Sequence, residues 1–444
     1  MTVSRTICLG FLALIAVGTL LLMMPFSIGS GTWNDPIVAL FTATSAVCVT
    51  GLGVVDTGTY FSFWGQFVLV ALVQIGGLGY MTANTFLLLL LGRRFSLKDK
   101  IAIQQSLDRP GIHGSTQILQ SIIALTAVME ITGTFVLLPT FSADYGLNQG
   151  LWLAIFHSIN SWNNAGFSLF SDSFVRYQIS AQLVIPVSLL IIFGGIGYPV
   201  IFEVYLWMRD RILRRPYRVA FSLNFKVATS TTLALLVIGT IAFLLIELRN
   251  AATFGAVSFS DKLLLAWFQS VTTRTAGFNT IDIGRMTTAG LFLTIALMFI
   301  GASPGGTGGG IKTTTARVLS NCTRAILQGK EEVEMYHRQV PISLILKAVG
   351  VVVGSTATVI VSTILISITD PEVNFIQILF EVMSAFATVG LSTGITASIS
   401  GMGKVVLIGT MFVGRVGILL LMSALLGDPR PRAIHYPEEN LLVG

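Results

Sequence analysis

Four related tetrapeptides recur along this chain: Val49-Thr50-Gly51-Leu52, Asn164-Ala165-Gly166-Phe167, Thr275-Ala276-Gly277-Phe278 and Thr388-Val389-Gly390-Leu391. Their glycines are 115, 111 and 113 residues apart, and a phenylalanine (Phe41, Phe156, Phe268, Phe380) precedes each by nine or ten positions. Glycine lets a backbone turn its carbonyls in directions that a side chain would hinder. Four such turns around one axis would present a ring of carbonyl oxygens, and such rings replace the water of a dehydrated cation. A blander reading stays open, in which each glycine only ends a helix as a cap. A cap, however, has no need of Thr, Ala or Val before it and Leu or Phe after it in every copy. Catalytic chemistry has no comparable support. Cys8, Cys48 and Cys322 are odd in number and far apart, and the four histidines are scattered, which gives neither a disulfide framework nor a metal cluster.

Composition says what must hold these turns. The 444 residues are 53% hydrophobic and only 11% charged, with mean hydropathy +0.80, against about a quarter charged in a soluble domain. That excludes a soluble globular enzyme. Long helices are expected near Arg5 to Met24, Thr116 to Leu138, Phe225 to Ile246 and Ile342 to Ile368, and a second set near Trp64 to Leu91, Gln182 to Met208, Leu291 to Ile300 and Val405 to Leu426. The first resembles a secretory signal with Arg5 as its basic end, but it closes on Met23, Met24 and Pro25 without small residues for cleavage, so a retained helix is expected. Between each helix of the first set and the next of the second lies a segment of about 13 residues, too short to span and of re-entrant length. Asp35 then Pro36 is an N-cap followed by proline at the first helical position, and the other segments start near Asn148, Ser260 and Asn374. Their C-terminal, partially negative ends would favour a cation at the axis.

The period implies four copies of a helix, short helix, helix unit: 1–113, 114–224, 225–340 and 341–444. The fold class expected is all-α and membrane-integral, with four parallel repeats around a central pore. Twenty of the 27 Lys and Arg fall on one side of this arrangement: Arg5, the runs Arg93 to Arg109, Arg209 to Lys226 and Lys312 to Lys347, and Arg430 with Arg432. Short basic loops stay cytoplasmic, so both termini are expected there. The net charge of +6 follows from this bias. Nucleic acid is the weaker reading of the same charges, since they lack interleaved aromatics or a recognition module.

The second set of helices carries glycine patches at matching places: Gly76-Gly77-Leu78-Gly79, Gly194-Gly195-Ile196-Gly197, Gly301-Ala302 and Gly414-Arg415-Val416-Gly417. Close helix packing in lipid accounts for most of them. The stretch Gly301-Ala302-Ser303-Pro304-Gly305-Gly306-Thr307-Gly308-Gly309-Gly310-Ile311-Lys312-Thr313 has six glycines in ten residues and cannot stay helical. It is no phosphate loop, because Ile311 separates Gly310 from Lys312 and no strand precedes it. A loop at membrane depth needs a wet or protein-lined cavity, so it can obstruct a path and move aside; a passive hinge is the alternative. Arg415, inside the last span, is costly unless paired or wet. It is expected either to bind loop carbonyls or bar cations, or else to pair with Glu130 or Glu381. Arg274 is expected to brace the loop from behind, Glu203 and Glu247 to reach water, and His157 to pack.

These motifs resemble the Ktr/Trk/HKT superfamily of potassium transport proteins over essentially the whole chain, most closely its eight-span Ktr branch, which lacks an extra N-terminal helix pair. The resemblance implies that Gly51, Gly166, Gly277 and Gly390, with Val49, Thr50, Asn164, Ala165, Thr275, Ala276, Thr388 and Val389, form a potassium filter, since sodium-permeable members carry serine at the first glycine. It implies an intramembrane gate at Gly305, Gly306, Thr307, Gly308, Gly309 and Gly310, with Arg415 beside it. It further implies a homodimer in the cell (inner) membrane, each subunit with its own pore, docked on a cytoplasmic octameric ring of nucleotide-binding, RCK-type regulatory subunits. ATP, ADP or NAD would bind that ring, and no cofactor is expected in this chain. The basic stretch from Lys312 to Lys347 is the expected landing surface. Sodium as transported ion, co-ion or activator stays open. A secondary transporter is the rival class, but it usually needs inverted repeats. A membrane enzyme would need convergent acid, base or metal ligands.

Overall fold

The computed structural model describes residues 3–79, 115–214, 220–255 and 257–427. The end of the helix expected from Trp64 to Leu91, the basic run Arg93 to Arg109, and Arg430 with Arg432 lie outside them. Helices dominate: α1 Val3–Met23, α2 Pro36–Val47, α3 Phe63–Leu78, α4 Ser115–Trp162, α5 Ala181–Ile196, α6 Tyr198–Ile212, α7 Leu223–Glu247, α8 Phe259–Thr272, α9 Thr288–Phe299, α10 Thr313–Leu327, α11 Ile342–Thr369, α12 Phe375–Phe386, α13 Gly401–Val416 and α14 Ile418–Leu426. A two-residue hairpin, β1 Glu334–Met335 with β2 Arg338–Gln339, joins α10 to α11. Four helical stretches are long and apolar enough to cross a membrane, within α1, α4, α7 and α11. Their outer surfaces are apolar: Phe135 is 68% exposed, Leu245 69% and Val353 63%. The centre is where polar side chains hide, among them Thr44, Asn163, Asn164, Gln269 and Glu381. That inversion of the soluble pattern suits a lipid solvent.

The short helices form where the sequence supplies starts and stops. Asp35 caps α2 by accepting from the N–H groups of Ile37 at 2.7 Å and Val38 at 3.3 Å, with Pro36 at the first helical position. In α4 the break falls at Gly146, at φ 76°, which divides an outer part from the short helix 147–162. Ser258, two residues before the expected Ser260, caps α8, and Asn374 precedes α12 without a side-chain cap bond.

Two expected continuous spans are corrected. The stretch from Gln182 to Met208 bends by 101° between α5 and α6, and that from Val405 to Leu426 bends by 96° between α13 and α14. The bends sit at Gly197, φ 98°, and Gly417, φ 86°, the last glycine of each patch, and α3 ends the same way at Gly79, φ 83°. Only glycine adopts such angles without strain. Periodicity cannot reveal this, because hydrophobicity continues unbroken through the bend.

The elements close on themselves. In three units the short helix packs on the long helix before it, α2 on α1, α8 on α7 and α12 on α11, while in the second unit both belong to α4, which packs on α5. Each helix that follows a tetrapeptide then reaches the next unit: α3 meets α4, α5 meets α8, α9 meets α12 and α13 meets α2. At the seam, Arg5 Nε donates to the Ala424 carbonyl at 2.7 Å and the hydroxyls of Ser4 and Ser423 meet at 3.0 Å.

Candidate functional site

The four tetrapeptides meet at the centre of this closed arrangement. The open side of Gly51 is filled by the carbonyl oxygen of Ala165, that of Gly166 by Ala276, that of Gly277 by Val389 and that of Gly390 by Thr50. The cycle visits every copy once and returns. A Cβ on Gly277 would stand 3.1 Å from the Cα atoms of both Gly166 and Gly390, so no side chain fits there. All four glycines have positive φ, between 71° and 94°.

The residue two before each glycine also has positive φ: Val49 at 56°, Asn164 at 57°, Thr275 at 74° and Thr388 at 50°. For β-branched Val and Thr this is a rare conformation costing about 1–3 kcal/mol. It settles the capping question. Thr50 N–H donates to Ser45 O at 2.7 Å, Ala165 N–H to Asn160 O at 2.8 Å and Val389 N–H to Ser384 O at 2.8 Å, the six-to-one bond of a Schellman ending. In the third copy Ala276 N–H bonds Thr272 O at 3.0 Å instead. Helix termination therefore falls to Val49, Asn164, Thr275 and Thr388, and the glycine two residues on has a separate task. Left-handed residues at the first and third positions of each tetrapeptide thus flank one of ordinary φ. Phe41, Phe156, Phe268 and Phe380 are fully buried behind the ring.

Glycine patches set the spacing between this ring and the following helices. A Cβ on Gly76, Gly194 or Gly414 would collide with the carbonyl of Val47, Trp162 or Phe386, the last residue of the short helix in the same unit. The third unit departs. There α9 stops at Phe299, and the stretch 301–312 folds back under the ring. Gly301 N–H donates to Ile311 O at 2.9 Å, Ser303 N–H to Gly195 O at 2.9 Å, Thr307 N–H to Gly194 O at 3.1 Å, and Tyr198 N–H to Gly305 O at 3.1 Å. Gly309 N–H reaches Thr388 Oγ1 at 3.0 Å, and a Cβ on Gly308 would strike Thr275 Oγ1, so the loop lies against the first residues of two tetrapeptides. Lys312 Nζ donates to Gly308 O at 2.9 Å.

Arg415 joins this loop to α3, its guanidinium donating to the carbonyls of Thr307, Gly76 and Gly77. Glu130 and Glu381 have other partners. Glu130 Oε1 accepts from Asn163 Nδ2 at 3.1 Å, whose amide also donates to Gln74 Oε1 at 2.8 Å. Arg274 is buried and donates to Thr232 O at 3.2 Å and Gly301 O at 3.1 Å, tying α7 to the point where α9 breaks. His157 is buried and stacks on Phe170 at 5.0 Å.

Of the two acids expected to reach water, Glu203 is partly exposed and Glu247 is not exposed at all. Glu247 is fully buried; its carboxylate accepts from Thr287 N–H at 3.0 Å and Oγ1 at 2.6 Å, holding the N-cap of α9. Glu203 takes Ser222 N–H at 2.9 Å and Oγ at 2.7 Å, and Asp370 takes Ser400 N–H at 2.7 Å and Oγ at 2.8 Å, holding the caps of α7 and α13. A carboxylate 19 to 40 residues from a serine or threonine is too common a pattern for sequence to single out these clamps.

A lipid-facing helical body around a ring of strained main-chain turns is built as a membrane transport protein. The family model described as TrkH, cation transport protein, matches residues 7–427, and the chain belongs to that family. It is 37% identical over 444 residues to the Ktr system potassium uptake protein B of Bacillus subtilis, covering 100% of this chain and 97% of that protein. It is 38% identical to the protein of that name from Vibrio alginolyticus, over 99% of this chain and 94% of the other. The potassium/sodium uptake protein NtpJ of Enterococcus hirae is 37% identical, over 99% of this chain and 97% of that one. The crystal structure of the potassium transporter TrkH from Vibrio parahaemolyticus superposes with TM-score 0.73 at 18% identity, covering 95% of this chain and 84% of the other.

Proposed function

We propose that this chain is the ion-conducting membrane subunit of a potassium uptake system. One observation carries the reading: four glycines of positive φ, each closed against the carbonyl preceding the next, form a ring that leaves no room for side chains and offers oxygen atoms to a bare cation. The tetrapeptides at Val49 to Gly51, Asn164 to Gly166, Thr275 to Gly277 and Thr388 to Gly390 act as the filter, and the units 1–113, 114–224, 225–340 and 341–444 each supply one re-entrant segment to an eight-span body. The loop from Gly305 to Gly310 lies across the path beneath the filter and gates it, with Arg415 holding it to α3. Both termini face the cytoplasm of a cell whose inner membrane holds a homodimer. An octameric, RCK-type ring binding ATP, ADP or NAD controls the gate from that side. The relatives named as parts of a Ktr system support a partner of this kind.

Rubidium and potassium uptake by a strain lacking its own uptake systems, with and without sodium, tests the reading. Restored growth on low potassium with saturable uptake is expected; a correctly inserted chain that restores none overturns it. A sodium-permeable or sodium-coupled carrier is the second reading, favoured by the relative named for potassium and sodium together. Uptake that proceeds as well with sodium alone would select it.

A further inference from the structure

Glu381 has no part in the reading above, on which this inference rests. It lies in α12, nine residues before Gly390, and is fully buried. Its Oε1 accepts from Ser392 Oγ at 2.7 Å, the Thr393 N–H at 2.8 Å and Thr393 Oγ1 at 3.3 Å, and its Oε2 accepts from Thr396 Oγ1 at 2.9 Å. Every one of these donors belongs to the segment that leaves the ring on the side away from the glycine-rich loop. The matching positions in the other units are Thr42, His157 and Gln269. His157 Nε2 makes a similar contact, to Ser168 Oγ at 3.1 Å, whereas Thr42 Oγ1 and Gln269 Oε1 are buried without partners. Only the fourth unit places an acid there.

No cation pairs with Glu381 among the described residues. A buried carboxylate balanced by hydrogen bonds alone is costly, and a nearby positive charge would relieve it. The buried cations Arg274 and Arg415 sit at the opposite end of the tetrapeptides, against Gly301 and the loop. The segment that Glu381 clamps follows directly on Gly390, at the ring through which the cation is proposed to pass. We propose that Glu381 is a specificity-determining residue for cation entry: it clamps residues 392–396 at the mouth of the ring, and its charge raises the affinity of that mouth for a monovalent cation.

The test is rubidium uptake by the full chain in cells, resolved into KM and Vmax. Glu381→Gln keeps the size and one acceptor oxygen, presents to Thr396 Oγ1 an amide that the hydroxyl can accept from, and removes the charge; KM is expected to rise about tenfold, the order for losing one unit charge roughly 10 Å from a bound cation, with Vmax changed less than about twofold. Glu381→Asp keeps the charge on a shorter arm and should stay near the wild-type KM. An unchanged KM in Glu381→Gln overturns the inference alone, as does a Glu381→Asp chain that behaves like Glu381→Gln. Failure of the wild-type chain to take up rubidium strikes the transport reading, and this inference with it. If Glu381→Gln reaches the membrane too poorly for flux, the potassium concentration giving half-maximal thermal stabilisation of the purified chain makes the same comparison, with the same tenfold shift expected and equality again decisive against it.

Discussion

The ring and the loop beneath it are both rich in glycine, and glycine is held differently in each. In the ring, each glycine is locked: its φ is positive and a neighbouring carbonyl occupies the space where a side chain would go. Fully buried phenylalanines back every copy, and the bonds that end the short helices fix the left-handed residue in each, with a different bond in the third. In the loop, Gly301, Gly308 and Gly309 are buried but Gly305, Gly306 and Gly310 only half-buried, and 301–312 is held by hydrogen bonds with Gly194, Gly195, Tyr198, Arg274, Thr388 and Arg415 rather than by a closed cycle of copies. Strain shared around a closed cycle makes a rigid element, since no member can relax without displacing the next. A segment with few apolar anchors and exchangeable backbone bonds opens at low cost. The same residue type thus closes the ring on itself and lets the proposed gate fold back against it.

Substitutions in the ring should have the largest effect. Gly277→Ala forces a Cβ into the Val389 carbonyl and against two Cα atoms, and should lower rubidium uptake by about a hundredfold while membrane insertion, followed by fractionation, is unchanged. Gly51→Ser should keep transport but relax selectivity toward sodium, and an unaltered potassium preference there would count against a filter. Trimming residues 305–310 comes next. Flux should rise about tenfold if the loop obstructs the path, whereas loss of flux in a correctly inserted chain would make it a support. Arg415→Ala frees the Thr307 and Gly76 carbonyls from their shared cation and should raise flux about threefold, with Arg415→Lys between the two.

The smallest effect belongs to a clamp remote from both regions. Burial would raise the Asp370 carboxyl, but hydrogen bonds from Thr369 and Ser400 and the charge of Lys404 outweigh it and hold the group below its usual range. A carboxyl depressed in this way contributes stability above its unfolded pKa of about 3.9 and loses it as pH falls through the folded value. Asp370→Asn should therefore lower Tm by about 1–2 °C at pH 7 and match the wild type in strong acid, with uptake unaffected.

Much of this was legible in the residues. The recurrence of Gly51, Gly166, Gly277 and Gly390 at nearly constant spacing, and Asp35 followed by Pro36, are local signals whose physical meaning does not depend on distant contacts. The bends at Gly197 and Gly417 were not legible, because apolar runs continue across them and Gly76 and Gly79 look alike in a string although one packs and the other turns the chain. Glu203, Glu247 and Asp370 were also out of reach: each looks like an acid at the end of a span, and only the return of a later helix shows which cap it holds.

By itself the chain determined its solvent, its fourfold period and the presence of a stretch that cannot be helical, since composition, spacing and the conformational limits of glycine and proline are properties of neighbours along the backbone. Tertiary structure alone decided which glycine caps and which turns, that Arg415 finds the carbonyls of Thr307 and Gly76, and that Glu381 grips the segment beyond Gly390 with no countercharge among the described residues. Those outcomes depend on which groups arrive at the same place once water is excluded, and residues on separate elements carry no record of that meeting until the helices have packed.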